Sequence, residues 1–220
     1  MSFKKNNYKV IKQAIDSKIA DFVYRYFLNK RQVAKTLFET RYISPFSADW
    51  GIWTDQQVPE TYSHYGDVAM ETLLVDLLPL MEKHTELKLS PTYAYARIYK
   101  KGDVLKRHKD RFSCEISTTM NLGGDDWPIY IEPNPKKGGH IGKDDKYVSD
   151  FTEGKKVVLK PGDMLVYKGN ICEHWRDQFD GIDCGQVFFH YNNTATKGAK
   201  KNMFDGRKHL GLPAWFKQFK

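Results

Sequence analysis

A histidine and an aspartate, His108 and Asp110, stand one residue apart in the segment RHKDRFSCE at 107–115. If this segment is a β-strand, residues two apart point to the same face, so the imidazole and the carboxylate project side by side. Such a pair also arises by chance and could equally be two surface polar groups. A third side chain suited to the same chemistry, His174, follows a tight turn in the segment GDMLVYKGNICEHWRDQF at 162–179.

Two histidines and one carboxylate on one face of an octahedron are the facial triad that binds iron(II) in non-haem oxygenases. This set leaves metal positions open, whereas a structural zinc site closes its shell with four nitrogen or sulfur ligands. The alternative for His174 is a core histidine bonded to a backbone carbonyl. Three widely separated cysteines without a C-x-x-C motif predict reduced, partly buried thiols. They are Cys114, Cys172 and Cys184.

The elements that must position these residues begin near residue 91, where the hydrophobic pattern changes from the helical period to strict alternation. Turn signals such as Pro161-Gly162-Asp163 separate the alternating segments. Short strands at this spacing predict an antiparallel sandwich, jelly roll or barrel. The segments are TYAYARIY at 92–99, EISTTMNL at 115–122, WPIYIEP at 127–133, KKVVLK at 155–160, DMLVYKG at 163–169, CEHWRD at 172–177 and GQVFFHY at 185–191.

The first part of the chain shows helical periodicity instead. Apolar residues at i, i+3 and i+4 predict one helix over 8–30 and a second over 68–87, which Pro79 should end or kink. An aromatic loop at 41–66 and a Gly- and Lys-rich loop at 134–146 are poor in regular structure. We expect both loops to act as lids that contact the substrate.

Length and composition fit one globular domain over 1–220. The chain has 220 residues, of which 40% are hydrophobic and 14% aromatic, enough for a buried, ring-rich core. We expect helical support and a long loop over 1–90, a strand core over 91–192 and a basic tail over 193–220. The sequence leaves the oligomeric state open.

Most of the net charge of +8 lies in residues 197–220, which carry seven Lys or Arg and one Asp. This segment could contact nucleic acid or an acidic partner, help attract an anionic cosubstrate, or form a solvated edge. The solvated edge is preferred, because no RNA-binding or helix-turn-helix signature accompanies the charge. No apolar run approaches the roughly 20 residues of a membrane helix and no secretory signal is visible, so we expect no membrane partner and a cytoplasmic protein.

The segments YARIYKKGDVLKRHKDR at 95–111, PGDMLVYKGNICEHWRDQFDG at 161–181 and QVFFHY at 186–191 resemble the iron(II)- and 2-oxoglutarate-dependent oxygenases, within them the prolyl-4-hydroxylase-like branch. The likeness covers about residues 91 to 192. It implies a β-dominated α+β fold, in which a double-stranded β-helix, a jelly-roll or cupin-like core, carries supporting N-terminal helices.

The resemblance also implies a reaction and a ligand set. In this family, oxidative decarboxylation of 2-oxoglutarate to succinate and CO2 is coupled to hydroxylation of a C–H bond by Fe(2+) and O2, with ascorbate as a possible support. His108, Asp110 and His174 match the metal-ligand positions. Tyr99 matches the cosubstrate-contacting tyrosine, and Arg97 shares its face of the strand.

One position departs from the family pattern. A Lys or Arg is often found roughly ten residues after the distal histidine, whereas here that stretch is IDCGQ at 182–186. Arg176, two residues past His174, is a candidate substitute for binding the far carboxylate of 2-oxoglutarate, because its planar fork suits a carboxylate. Arg97 is its rival. Either arginine could instead pair with a buried carboxylate.

The preferred substrate is a prolyl, peptidyl or free amino-acid side chain, so the partner is a peptide, a protein or a small molecule. Retention of Asp110 favours hydroxylation, because halogenating relatives lose this carboxylate. A nucleic-acid or nucleotide oxygenase or demethylase and a non-catalytic metal-binding cupin-like module are the alternatives. Arg111, Trp127 and Trp53 are the substrate-binding candidates, although either tryptophan could be a core filler.

Overall fold

A computed structural model describes residues 2–142 and 146–217 of the chain. The helices are α1 (Phe3–Asn6), α2 (Ser17–Glu39), α3 (Val68–Asp76) and α4 (Leu78–Thr85), with short 3-10 turns at Phe112–Cys114 and Met203–Gly206. The strands are β1 (Tyr8–Ile11), β2 (Tyr62–Tyr65), β3 (Leu89–Lys100), β4 (Leu105–His108), β5 (Ile116–Gly124), β6 (Ile129–Glu132), β7 (His140–Ile141), β8 (Tyr147–Val148), β9 (Lys155–Val157), β10 (Met164–Lys168), β11 (Glu173–Arg176) and β12 (Asp183–Asn193).

Two antiparallel sheets form the core. The larger sheet has the strand order β1-β10-β5-β12-β3-β2, and the smaller one has the order β4-β11-β6-β9. A separate hairpin pairs β7 with β8. Neighbouring strands are mostly distant in sequence, as expected where a chain alternates between the two sheets of a jelly roll. This arrangement confirms the predicted β-dominated α+β class.

Apolar side chains on both faces of the larger sheet fix the layer order. Along β10, Met164 and Val166 belong to one apolar cluster, whereas Leu165 and Tyr167 belong to another. The first cluster includes Phe27 of α2 and extends over α3 and α4, so the helices cover the outer face. The second cluster includes residues of β6 and lies between the two sheets. The two clusters take alternate residues of β10 because successive side chains of a strand point to opposite faces of the sheet.

The N-terminal helix prediction is wrong for residues 8–16. Residues Tyr8–Ile11 form an edge strand that pairs with β10, and the helix begins only at Ser17. Its start is set by Asp16, whose carboxylate accepts a hydrogen bond from the Lys18 backbone N–H at 2.8 Å. The helix then extends to Glu39, well past the predicted end. A short apolar run such as that at 8–11 fits both the helical period and the two-residue period of a strand. Pairing with β10 makes it a strand here.

The second helical segment breaks as predicted. Helix α3 ends at Asp76 and α4 begins at Leu78, so that Pro79 lies in the first turn of α4. Proline is tolerated there because the first backbone N–H groups of a helix have no intrahelical acceptor. Among the helices of the described ranges, none is long and apolar enough to cross a membrane.

Part of the basic tail folds back onto the core, while its described lysines stay exposed, as expected for a solvated edge: they are Lys197, Lys200, Lys201, Lys208 and Lys217. Arg207 is buried and its guanidinium lies 2.6 Å from the carboxylate of Glu71 in α3. Asp205 is also buried and accepts hydrogen bonds from Arg111 and Tyr65. The tail is therefore part of the packed structure as far as Lys217, and its last three residues lie outside the described ranges.

Candidate active site

The structure brings the three predicted metal ligands together. His108, the last residue of β4, lies directly opposite His174 of β11, and their ring centroids are 4.2 Å apart. The Asp110 Oδ1 atom is 3.6 Å from His108 Nε2 and 3.5 Å from His174 Nε2. Asp110 lies just beyond the strand, and its backbone N–H donates to the carbonyl of Gly169 at 2.9 Å. The expectation of a continuous strand through both His108 and Asp110 was therefore wrong, but the two side chains still converge.

Contacts behind the ligands orient them. The Nδ1 atom of His108 lies 2.7 Å from the Lys106 carbonyl, and that of His174 lies 3.0 Å from the Cys172 carbonyl. Both Nε2 atoms are thereby turned towards Asp110, whose other oxygen accepts from Ser117 Oγ at 2.7 Å. Histidines and carboxylates that bind metals are oriented by such outer contacts. With donor atoms of all three within 4.8 Å of one another, the set fits one divalent cation.

Electrostatics favours the metal-binding protonation state of two of the ligands. Burial opposes ionisation of Asp110, but the nearby imidazoles of His174 and His108 outweigh it and hold the pKa of the carboxyl well below its usual range. Burial, helped by His174, lowers the pKa of His108 to about 4. Burial opposes the charged form of His174 too, but Asp110 raises its pKa above the ordinary value. Of the three ligands, His174 is thus the one whose protonated form is favoured by its neighbour Asp110.

A glycine lets the turn after β10 pack against the ligands. A Cβ atom at Gly169 would stand closer than van der Waals contact to the Asp110 carboxylate, the Ser117 hydroxyl and the Cys114 carbonyl. The sequence marks this glycine only as part of a turn signal, Lys168-Gly169-Asn170. Its close approach to Asp110 is a long-range contact that no local pattern indicates.

The ligands stand on the wall of a cavity of about 330 Å³. Arg97 and Tyr99 of β3 both face it, as their two-residue spacing predicts, and the Arg97 guanidinium donates to the Tyr99 hydroxyl at 3.2 Å. Tyr93, Tyr95 and Phe188 add aromatic surface to the wall. A pocket of this size, mostly apolar with a few converging polar groups, is typical of small-ligand sites.

The positive charge of Arg97 is already paired. Its guanidinium lies 2.5 Å from the carboxylate of Asp55 and also donates to the Gln57 side-chain carbonyl. Gln57 further places its amide nitrogen 3.1 Å from His108 Nε2. Asp55 and Gln57 belong to the aromatic loop that we expected to flank the site, but their individual roles were missed because no motif marks them.

Arg176 differs from Arg97 in its surroundings. Arg97 lines the cavity with the metal ligands, whereas Arg176 lines a different cavity together with Leu105 and Trp175. It is buried and donates to the Trp127 carbonyl, to Thr119 Oγ1 at 3.1 Å and to Gln186 Oε1 at 3.2 Å. Within the described ranges, no carboxylate lies in ion-pair distance of it, and burial lowers its pKa. Its Nε atom has no hydrogen-bond partner there, which is equally true of Arg97 Nε.

The substrate-binding candidates occupy three different places. Arg111 lines the cavity, but both its terminal nitrogens bind Asp205, at 2.8 and 2.9 Å. Trp127 lies behind the cavity wall, where its ring meets Tyr99 edge-on at 4.6 Å. Trp53 lines a separate cavity beside α2. Of the three, the structure thus brings only Arg111 to the cavity with the metal ligands.

The second predicted lid, residues 134–146, contains β7, and β8 follows directly after it. Lys109, between the two ligands of the H-x-D motif, donates to the Gly139 carbonyl at 2.6 Å. Tyr147 of β8 donates to the buried carboxylate of Glu173 at 2.9 Å. The hairpin is thus anchored directly beside the site. Residues 143–145 of the predicted lid lie outside the described ranges.

No protein-family model and no curated protein matches the sequence. By structure, the chain is similar to a Pseudomonas putida prolyl-4-hydroxylase, with TM-score 0.59 and 11% identity over 88% of this chain and 96% of that one. HygX from Streptomyces hygroscopicus, crystallised with nickel and 2-oxoglutarate, aligns with TM-score 0.58 and 16% identity over 88% and 85% of the respective chains. A Trichoplax adhaerens prolyl hydroxylase in complex with a hypoxia inducible factor peptide fragment aligns with TM-score 0.56 and 12% identity over 91% and 87%.

Proposed function

We propose that this chain, which has the double-stranded β-helix fold of the prolyl-4-hydroxylases and related 2-oxoglutarate-dependent oxygenases, is itself an iron(II)- and 2-oxoglutarate-dependent oxygenase. The observation that carries the proposal is the convergence of His108, Asp110 and His174 on one cavity wall. Iron held by these side chains would supply the activation of dioxygen and the oxidation of a C–H bond. The protein's own contribution is to orient the cosubstrate and the substrate beside it.

We assign the distal carboxylate of 2-oxoglutarate to Arg176 rather than to Arg97. A buried guanidinium without a carboxylate partner is stabilised when an anion binds, whereas Arg97 already pairs with Asp55. The strand that carries the usual basic residue has Gln186 instead, and Arg176 donates to its side chain. Arg176 therefore brings positive charge to the place where the resemblance leads us to expect a basic residue.

Tyr99 is suited to assist in that binding. Its hydroxyl oxygen accepts a hydrogen bond from Arg97, which leaves its own proton free to donate to a carboxylate. The ring is fully buried and is held edge-on by Trp127, so the hydroxyl has one position. Tyr99 and Arg176 together then give the cosubstrate two donors, and Arg97 positions Tyr99.

For the substrate, we propose a prolyl side chain within a peptide. Tyr93, Tyr95 and Phe188 line the cavity and add apolar surface against which a small aliphatic ring can pack. Peptide binding by the Trichoplax structure supports this choice. The nickel and 2-oxoglutarate bound in HygX support a divalent metal and 2-oxoglutarate as the cofactor and cosubstrate of this chain. HygX has also been crystallised with hygromycin B, so small molecules are the competing class of substrate.

Turnover of 2-oxoglutarate tests the function. The purified chain, supplied with iron(II), ascorbate and oxygen, is expected to form succinate, and a proline-containing peptide is expected to gain the mass of one oxygen atom. His174→Ala should abolish both products, while the exposed His209→Ala should keep them. Absence of succinate from the wild-type protein at full iron occupancy would favour a non-catalytic module. Oxidation of an oligonucleotide but of no peptide would favour the nucleic-acid alternative.

A further inference from the structure

We propose that a second metal position, suited to a thiolate-binding ion such as zinc, lies beside the first and is formed by Asp110, Cys114 and His190. Each of these residues offers one ligand atom, and the three atoms lie within 4.8 Å of one another. The position shares its carboxylate with the proposed iron site but uses neither His108 nor His174. Apart from the shared Asp110, its ligands Cys114 and His190 therefore take no part in the proposed oxygenase site.

The three residues come from different elements and meet at one wall of the cavity. Cys114 ends the short turn Phe112–Cys114 that follows Asp110, and His190 lies on β12. All three line the cavity that also holds the two iron-ligand histidines. Cys114 and His190 are buried within the fold, at 3% and 6% exposure, so a bound ion would be shielded from bulk solvent.

The donor set differs in kind from that of the iron site. Zinc binds cysteine sulfur, histidine nitrogen and carboxylate oxygen, most often with four ligands in tetrahedral geometry. Three protein ligands leave one position, and the cavity beside them can supply a water molecule or a small ligand. Adding sulfur to the set shifts preference towards zinc and other ions that favour soft ligands.

Ser117 and Tyr93 hold the cluster together. The Ser117 Oγ atom lies 2.7 Å from the Asp110 carboxylate and 3.0 Å from His190 Nδ1. The Tyr93 hydroxyl lies 3.0 Å from Cys114 Sγ. The thiol is thus directed towards polar cavity groups. By contrast, Cys172 is buried in the apolar cluster between the sheets, and its sulfur donates to the Asn7 carbonyl at 3.8 Å. That thiol is the matched control.

Cobalt(II) substitution tests the proposal without reference to turnover. Under anaerobic conditions, cobalt bound through Cys114 is expected to produce a near-ultraviolet thiolate-to-cobalt charge-transfer band. Cys114→Ser should remove the band, whereas Cys172→Ser should retain it. His108→Ala should also retain it, because His108 belongs only to the iron site. Absence of the band in the wild-type protein, or its persistence in Cys114→Ser, would overturn the proposal.

X-ray absorption of the zinc-loaded wild-type protein gives a second measurement that does not depend on any variant folding. With zinc saturating both positions, we expect a sulfur neighbour at about 2.3 Å, averaging about half a sulfur per zinc, together with nitrogen and oxygen neighbours. A zinc shell of nitrogen and oxygen alone would contradict the assignment even if the protein turned over 2-oxoglutarate. Conversely, a sulfur neighbour in a protein that forms no succinate would support the second position and leave the oxygenase proposal refuted.

Discussion

His108 and His174 are direct cross-strand partners in the antiparallel pair of β4 and β11. Side chains that face each other in this way have Cβ atoms roughly 4.5–5.5 Å apart, close enough for both imidazoles to reach one ion. Strand register, rather than a flexible loop, therefore positions the two histidines. A shift of one residue would turn either of them to the opposite face of the sheet.

Removal of the hydroxyl behind Asp110 should weaken metal binding without removing a ligand. Ser117→Ala deletes the hydrogen bond to the Asp110 carboxylate, and we expect iron(II) affinity to fall by about 10- to 100-fold. Anaerobic titration calorimetry measures the change. Ser90→Ala, at another buried serine, is the control and should bind normally. Equal affinities for Ser117→Ala and the wild type would show that the hydroxyl does not orient Asp110.

A methyl group at Gly169 should also damage the site from outside the ligand set. The added Cβ would overlap the Asp110 carboxylate and the Ser117 hydroxyl, so that either the turn or the H-x-D segment must move. We expect Gly169→Ala to lose most metal affinity while remaining folded, as judged by circular dichroism. Gly142→Ala, whose added Cβ would meet only Val148 and Lys146, should bind metal normally. A Gly169→Ala protein with unchanged affinity would contradict the packing described above.

The two buried arginines should differ in their effect on 2-oxoglutarate binding. Arg176→Gln should raise the dissociation constant for the cosubstrate by about 10- to 100-fold, since a hydrogen bond to a charged group contributes roughly 1.5–3 kcal/mol. Arg97→Gln should raise it less, because Arg97 pairs with Asp55 and reaches the cosubstrate through Tyr99. Direct binding to the iron-loaded protein without oxygen measures both. The reverse order of effects would transfer the role to Arg97.

The tail should stabilise the fold in a pH-dependent manner through Asp205. Burial opposes ionisation of this carboxyl, but Arg111 and Ser113 hold its pKa well below the usual range. Its contribution is therefore present above the ordinary value of about 3.9 and is lost as pH falls below it. Asp205→Asn should lower the free energy of unfolding by about 1–3 kcal/mol near neutral pH.

Thermal unfolding between about pH 7 and about pH 3 checks this prediction, and the difference from the wild type should shrink towards the acid end. Asp76→Asn, on an exposed part of α3, is the control and should follow the wild type throughout. A difference for Asp205→Asn that stays constant or grows as pH falls would mean that the ion pair with Arg111 is not its source.

Strand patterns and the His108-x-Asp110 spacing could be read from the sequence because both are local, whereas His174 comes from a distant segment. The two-residue period of apolar residues correctly marks β3, β5 and β12. The side chains of His108 and Asp110 still converge, although β4 ends at His108. Residues 8–11 were assigned to the wrong type of element, because a short apolar run fits a helix and an edge strand equally.

Contacts between distant segments could not be predicted. Asp55 neutralises Arg97, and Asp205 neutralises Arg111, but neither acid belongs to a motif and each lies far along the chain from its partner. The sequence therefore left Arg97 and Arg176 as rivals, and our proposal of Arg176 depends partly on the ion pair between Asp55 and Arg97. Trp53 was predicted to bind substrate from its residue type alone, whereas it packs against Tyr62 and lines another cavity.

The most direct test of the proposed site is the visible absorption of the iron(II)-loaded protein when 2-oxoglutarate is added without oxygen. Chelation of iron by the keto acid produces a charge-transfer band only if metal positions stay open beside the protein ligands. We expect the band in the wild type and in His209→Ala, and its loss in His174→Ala. No band in the wild type at full iron occupancy, or an unchanged band in His174→Ala, would contradict the assignment of His108, Asp110 and His174.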